Sequence, residues 1–176
     1  VCEGFVGTTP YLYSFGGIDT TKIYSGIHLH AYRVNTITGV SEVLPDLPDT
    51  LGKVAAGASR VNDTIYIIGG YHVFNNGHEL SSNKVHRFNV STNSYLTDAI
   101  NIPTAIDDHV QAVWRDSLIY VITGWSNNTN VPHVQIYNPT TNTWATGTAT
   151  PNNNNYKSFG ASGTIIGDTI YYFGGA

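Results

Sequence analysis

Methionine is absent from the 176 residues and cysteine occurs once, as Cys2. A chain without methionine does not start at its initiator, so a processed or truncated product is expected. One thiol forms no internal disulfide, and Cys2 reads as a small buried or terminal thiol. Charge is scarce: Asp, Glu, Lys and Arg make up 11%, against roughly 25% in an average soluble protein. There is no basic run and the net charge is −4, which argues against a nucleic-acid partner and an anionic membrane surface. No apolar run approaches the roughly 20 residues that span a bilayer, and no charged segment leads into an apolar one. Neither membrane insertion nor a signal peptide is therefore read. No segment keeps apolar residues at i, i+3, i+4 and i+7 through three turns, so helices are not expected.

What the chain has instead is Thr, Ser, Asn and aromatics, the last at 12%. β-branched and aromatic side chains suit a pleated, half-buried surface. They gather in one recurring phrase: "YLYSFGGI" at 11–18, "TIYIIGGY" at 64–71, "LIYVITGW" at 118–125 and "TIYYFGGA" at 169–176. The second glycine position falls at 17, 70, 124 and 175, a repeat of 51 to 54 residues. A period of that length signals a repeat architecture. Another strand-like stretch precedes each phrase, joined to it by a tight turn at Asn62-Asp63, Arg115-Asp116 and Gly167-Asp168, with Thr9-Pro10 in the first unit. A third strand follows at 29–34, 85–90 and 134–139. After a polar turn comes a fourth strand, opening on Tyr95 or Trp144. Four short antiparallel strands per unit describe a propeller blade, so the fold class is all-β.

The stretches "IYIIGG" and "VQIYNPTTNTW" resemble the kelch repeat of β-propellers, with its double glycine, Tyr-Asp-Pro-like step and following Trp. The resemblance covers essentially the whole chain. It departs at Thr123, which replaces one glycine, at Asn138, which stands for Asp, and in the first unit, where "TGVSE" replaces the Trp segment. It implies four-stranded kelch-type blades in units of about 1–48, 49–101, 102–149 and 150–176. With strands lettered a to d outward from the axis, that is about three and a half blades of a six- or seven-bladed ring. Gly16, Gly17, Gly69, Gly70, Gly124, Gly174, Gly175 and Trp144 are then scaffold. Glycine fits where strands converge near the axis, and Tyr66, Tyr120 and Tyr171 fill the wedge between blades. A half ring exposes apolar faces, so completion by a further chain segment or by a second chain is expected. Two copies would match a seven-bladed strand total, but each ends and begins on strands a and b, so a longer propeller is favoured.

Chain direction places the b–c loops (18–27, 71–83, 125–133) and d–a loops (45–53, 99–107, 149–157) on one face. These are long and varied, as functional loops on a rigid scaffold are. They present Tyr71, His72, His78 and Glu79; Trp125, Asn127, Asn128 and His133; and, near the axis, Asp107, Asp108 and His109. Strand alternation lets Asp107 and His109 share a side and sets Asp108 apart. An Asp-His pair suits metal binding or general-base work, yet loop hydrogen bonding is the plainer reading, and no metal or cofactor is expected. His28, His30 and His86 read as surface residues. No nucleophile elbow, His-x-x-x-His or phosphate loop is present, and the glycine pairs open no helix. The sequons at Asn62, Asn89 and Asn127 fit chance in so Asn- and Thr-rich a chain.

The expected function is a non-catalytic module that binds protein or carbohydrate on the long-loop face, in a bacterial-type secreted, periplasmic or cell-surface setting suggested by composition. The alternative implied by the resemblance is a kelch-type enzyme, either a sialic-acid mutarotase or a copper oxidase resembling galactose oxidase. No local motif matches either site.

Overall fold

The computed structural model describes residues 1–176. The first blade is β1 (Cys2–Val6), β2 (Thr9–Ile18), β3 (Ile27–Asn35) and β4 (Ser41–Leu44), hydrogen-bonded in that order. The second is β5 (Val54–Val61) and β6 (Thr64–Val73), with β7 (Glu79–Ser81) folded back on β6, then β8 (Val85–Asn89) and β9 (Ser94–Leu96). The third is β10 (Val110–Trp114), β11 (Leu118–Ile122), a small separate hairpin of β12 (Trp125–Ser126) and β13 (Thr129–Asn130), then β14 (Val134–Asn138) and β15 (Thr143–Thr146). A hairpin of β16 (Ser162–Ile166) and β17 (Thr169–Phe173) begins the fourth. All pairings are antiparallel, and the only helical element is one 3-10 turn at Tyr24–Gly26. No helix is long and apolar enough to cross a membrane.

Two expectations about local structure need correction. The b–c loops of the second and third units are partly strand, because β7 and the β12–β13 hairpin lie inside them. The first a–b turn is Gly7-Thr8, since Val6 pairs with Thr9 and Gly7 takes φ +59°; the third has three residues, because Trp114 pairs with Leu118. The weakly signalled outer strand of the first unit is present, with Ala31 to Val34 paired to Leu44 to Ser41.

Apart from Gly174, the paired glycines are crowded, most of them by backbone carbonyls. The N–H groups of Gly17, Gly70 and Gly124 donate to the carbonyls of Lys53, Ile106 and Ser158, at 2.8, 3.0 and 2.9 Å. Each acceptor lies where the next blade begins. A Cβ on Gly16 or Gly69 would strike the Lys53 or Ile106 oxygen. A Cβ on Gly70, Gly124 or Gly175 would come within 2.8, 2.6 or 2.6 Å of the carbonyls of Val54, Asp107 or Phe159 in its own blade. Two consecutive carbonyls thus enter the second, third and fourth blades, the first turned to the preceding glycine pair and the second to the blade's own. Gly69 and Gly70 take φ of +67° and +85°, a region glycine occupies freely.

The next residue of the entry step also turns left-handed: Ala55 at φ +55°, Asp108 at +49° and Gly160 at +70°. The N–H of Asp108 donates to Ala55 O at 3.1 Å, and that of Gly160 to Asp108 O at 2.8 Å. A circumferential string of hydrogen bonds therefore ties three inner strands together at the mouth of the axis.

Between blades the pleat sends alternate side chains to opposite seams. Tyr13 is fully buried and tilts against Phe88, their ring centroids 6.1 Å apart, while Tyr66 meets Tyr137 at 5.5 Å. Around these pairs sit Ile65, Ile67 and Val90 in one seam and Ile68, Ile119 and Val121 in the next. Trp144 backs Tyr137 and donates its indole N–H to Ile100 O at 3.1 Å. Tyr66 thus fills a wedge, and Tyr120 packs toward Ile170 and Tyr172. Tyr171 does not: it is 51% exposed, because no following blade lies against it here.

Candidate functional site

The β6–β7 hairpin projects from the loop face because β6 runs on past its glycine pair to Val73, pairing Tyr71 with Ser81 and Val73 with Glu79. It leans on the preceding d–a connection through His72, whose Nδ1 donates to Gly52 O at 2.8 Å. It leans on the third blade through Ser81 and Asn127, where Asn127 N–H donates to Ser81 Oγ at 2.8 Å and Ser81 N–H to Asn127 Oδ1 at 3.0 Å. Between hairpin and connection lies a cleft of about 400 Å³, lined by Leu51, Tyr71, His72, Ser82, Lys84 and Asn127 among others. A cleft of that size on a rigid scaffold is of ligand dimensions.

Its floor is a buried charge cluster. Lys53, 3% exposed, holds its Nζ 2.7 Å from Asp49 Oδ2 and 3.1 Å from His86 Nε2. His86 lies 3.2 Å from Asp49 through Nε2 and donates from Nδ1 to Asp98 at 3.0 Å. Burial pushes the Asp49 carboxyl up, but the hydrogen bond and charge of Lys53 outweigh it and hold the group at about 2. His86 is therefore no surface residue: it is 1% exposed, compensated by partners from two connections. His30 does lie outward, with its Nδ1 on Asp46 at 3.0 Å, whereas His28 is half-buried, its ring stacked on His30 at 4.8 Å and its Nδ1 buried without a partner.

The loop residues are placed as follows. Tyr71 and His72 line the cleft with Asn127, while His78 is exposed and stacks on Phe74 at 5.9 Å. His133 is exposed, and its carbonyl accepts the Thr123 N–H at 2.9 Å. Trp125 is half-buried against Phe159, centroids 5.4 Å apart, and exchanges two backbone hydrogen bonds of 2.9 Å with Asp107.

Asp107 and His109 do not converge. The left-handed turn at Asp108 interrupts the alternation that would put them on one side. Asp107 is 2% exposed; burial raises its carboxyl to about 6, with Ser81 opposing and the charges of Asp108 and Glu79 adding. His109 lies between inner strands, with Nε2 donating to Gln111 Oε1 at 3.0 Å, and burial lowers it to about 4. Gln111 continues across the seam to Ser59 Oγ at 2.7 Å. The axial channel below, about 360 Å³, is lined by inner-strand residues including Glu3, Arg60, Gln111 and Thr164. No group of three or more His, Cys, Asp and Glu side chains has a metal-holding arrangement.

Sequence reasoning missed Lys53, Asp49, Ser81 and Ser82. None carries a local motif, and only the crossing of two connections brings them to the cleft.

A family model described as the KLHDC2/KLHL20/DRC7 Kelch-repeats domain matches residues 5–176. No curated protein matches the chain. Among solved structures, one titled "Structure of YjhT" superposes with a TM-score of 0.73 at 17% identity, covering 97% of this chain and 56% of that one. The chain therefore spans little more than half the length of that structure, and at such identity the likeness concerns the fold.

Proposed function

The chain belongs to the kelch-repeat β-propellers, and from that premise we propose that it is a non-catalytic recognition module that engages a protein segment through its long-loop face. The observation that carries this reading is the cleft between the β6–β7 hairpin and residues 49–53. Its rim combines apolar side chains, Leu51 and the 41%-exposed Leu80, with Tyr71, Lys84 and Asn127. Apolar anchors ringed by polar groups suit a peptide segment. The non-catalytic assignment rests on the commitment of three basic side chains nearby: Lys53 to Asp49, His86 to Asp98 and His109 to Gln111.

The test is a peptide array and a glycan array, probed in parallel with the protein and its Tyr71→Ala and Lys84→Ala variants. Retention on peptides, weakened at least tenfold by Tyr71→Ala, is expected. Retention on glycans alone, or peptide binding untouched by either change, contradicts the reading.

We also propose that further blades of the same polypeptide cover the two open faces. The seams at Tyr13–Phe88 and Tyr66–Tyr137 join a second-strand tyrosine to a third-strand aromatic of the next blade. The unmatched halves are Tyr171, 51% exposed at one end, and Tyr32 with Val43, 39% and 76% exposed at the other. Beside β17 runs a groove of about 550 Å³ lined by Tyr120, Ile136, Ile170 and Tyr172 among others. Apolar faces of this kind mark an interface. The 56% coverage of the longer structural neighbour supports the same completion.

A further inference from the structure

Three carboxylates gather at the loop-face mouth of the axis, and none has a counter-charge. Asp108 sits there because its N–H donates to Ala55 O at 3.1 Å, next to Val54, which pairs with Tyr71. Glu79 is carried in by β7, which pairs with β6 beyond Tyr71. Asp107 precedes Asp108 and is bridged to Trp125. The ion pairs of the chain use Asp46, Glu42, Asp49, Asp98 and Asp168, and none involves Glu79, Asp107 or Asp108.

A second observation makes this more than a solvated acidic patch. Asp107 is 2% exposed, and its Oδ2 has no hydrogen-bond partner. The indole Nε1 of Trp125, its bridge partner, is likewise buried and unpartnered. Buried polar atoms without partners cost free energy, so two of them on residues bridged through their backbones favour a ligand. The charges acting on Asp107 are those of Asp108 and Glu79, and Tyr71 feels all three carboxylates. Burial and mutual repulsion favour the arrival of positive charge.

We propose that this mouth takes the ammonium or guanidinium of a lysine or arginine side chain presented by a protein segment. A metal ion is the weaker fit, because the carboxylates do not form a metal-holding group. An organic cation needs no tight coordination sphere, and the Tyr71 and Trp125 rings supply faces that attract one. This rests on the loop-face reading above and adds the chemistry of the partner.

The test uses blocked hexapeptides that vary the central residue, with binding read by fluorescence polarisation of labelled peptide. Arginine- and lysine-centred peptides are expected to bind best, at least tenfold above their citrulline and norleucine counterparts, with affinity falling as salt rises. Asp108→Asn combined with Glu79→Gln should remove that preference. Asparagine tolerates the positive φ at 108 and Glu79 is exposed, so the double variant keeps its fold. Binding without charge preference that is still lost in Tyr71→Ala overturns the cation inference and leaves the loop-face reading standing. Absence of any peptide dependent on Tyr71 overturns both.

Discussion

The N–H of Gly70 reaches the carbonyl of Ile106 at 3.0 Å, across the boundary between two blades. The neighbouring Gly69 has no room for a Cβ, which would meet that same oxygen, and its φ is +67°. Gly174 takes a comparable φ of +77° with nothing near it. Gly69→Ala should therefore cost about 2–4 kcal/mol, combining left-handed strain with overpacking, and Gly174→Ala only about 1 kcal/mol. Denaturant titration of the two variants distinguishes them. Equal losses would show that backbone conformation alone, and not the seam, requires glycine.

Thr123 stands where other blades carry the first glycine. It is β-branched, held at φ +51°, 1% exposed, and its Oγ1 has no partner. Such a residue carries strain and an unsatisfied hydroxyl. Thr123→Gly should raise stability by about 1 kcal/mol, read as a higher denaturation midpoint. A loss would mean that the Thr123 side chain makes a contribution the seam geometry does not account for.

The Lys53–Asp49 pair makes a prediction in acid. Asp49, held at about 2, has a folded value below its ordinary one. Its stabilising contribution is complete above about pH 4 and is lost as pH falls through 2, worth about 2 kcal/mol. Lys53→Met should remove that acid dependence and cost about 3–5 kcal/mol at neutral pH by leaving Asp49 buried without its ammonium. Adding Asp49→Leu should recover part of the loss. An additive double variant would argue against coupling between the two.

Asp107 has the opposite sign. Its folded value of about 6 lies above the ordinary one, so its contribution is most favourable below about pH 4 and is lost as pH rises through 6. Asp107→Asn should match the unaltered protein near pH 4 and exceed it by about 2 kcal/mol at pH 7. His109, held at about 4, has a contribution present above about pH 6.5 that is lost as pH falls toward 4. The comparison between variants isolates Asp107 from that slope. A stability difference independent of pH would contradict the burial of an uncompensated carboxylate at 107.

The repeat, the four-stranded units and the crowding of the glycine pairs were legible because each is written in local residue type. The left-handed entry step was not, since Ala55, Asp108 and Gly160 share a backbone angle and no side-chain chemistry. His86 reads as a surface residue in the sequence because its partners Lys53 and Asp49 lie 33 and 37 positions away and meet it only when the d–a connection crosses β8. Tyr71, His72 and Asn127, read from the sequence as loop-face residues, line one cleft. The separation of Asp107 from His109 depends on one φ angle at Asp108, which strand alternation does not reveal.

The most direct measurement is amide hydrogen exchange at Gly17, Gly70 and Gly124, whose N–H groups lie at the strand ends where the loop face begins. Donation across the seams predicts that all three exchange only through global opening, as slowly as the inner strands. Exchange at the rate of the flanking loops would show that the blades are not joined there and that the proposed face has no rigid base.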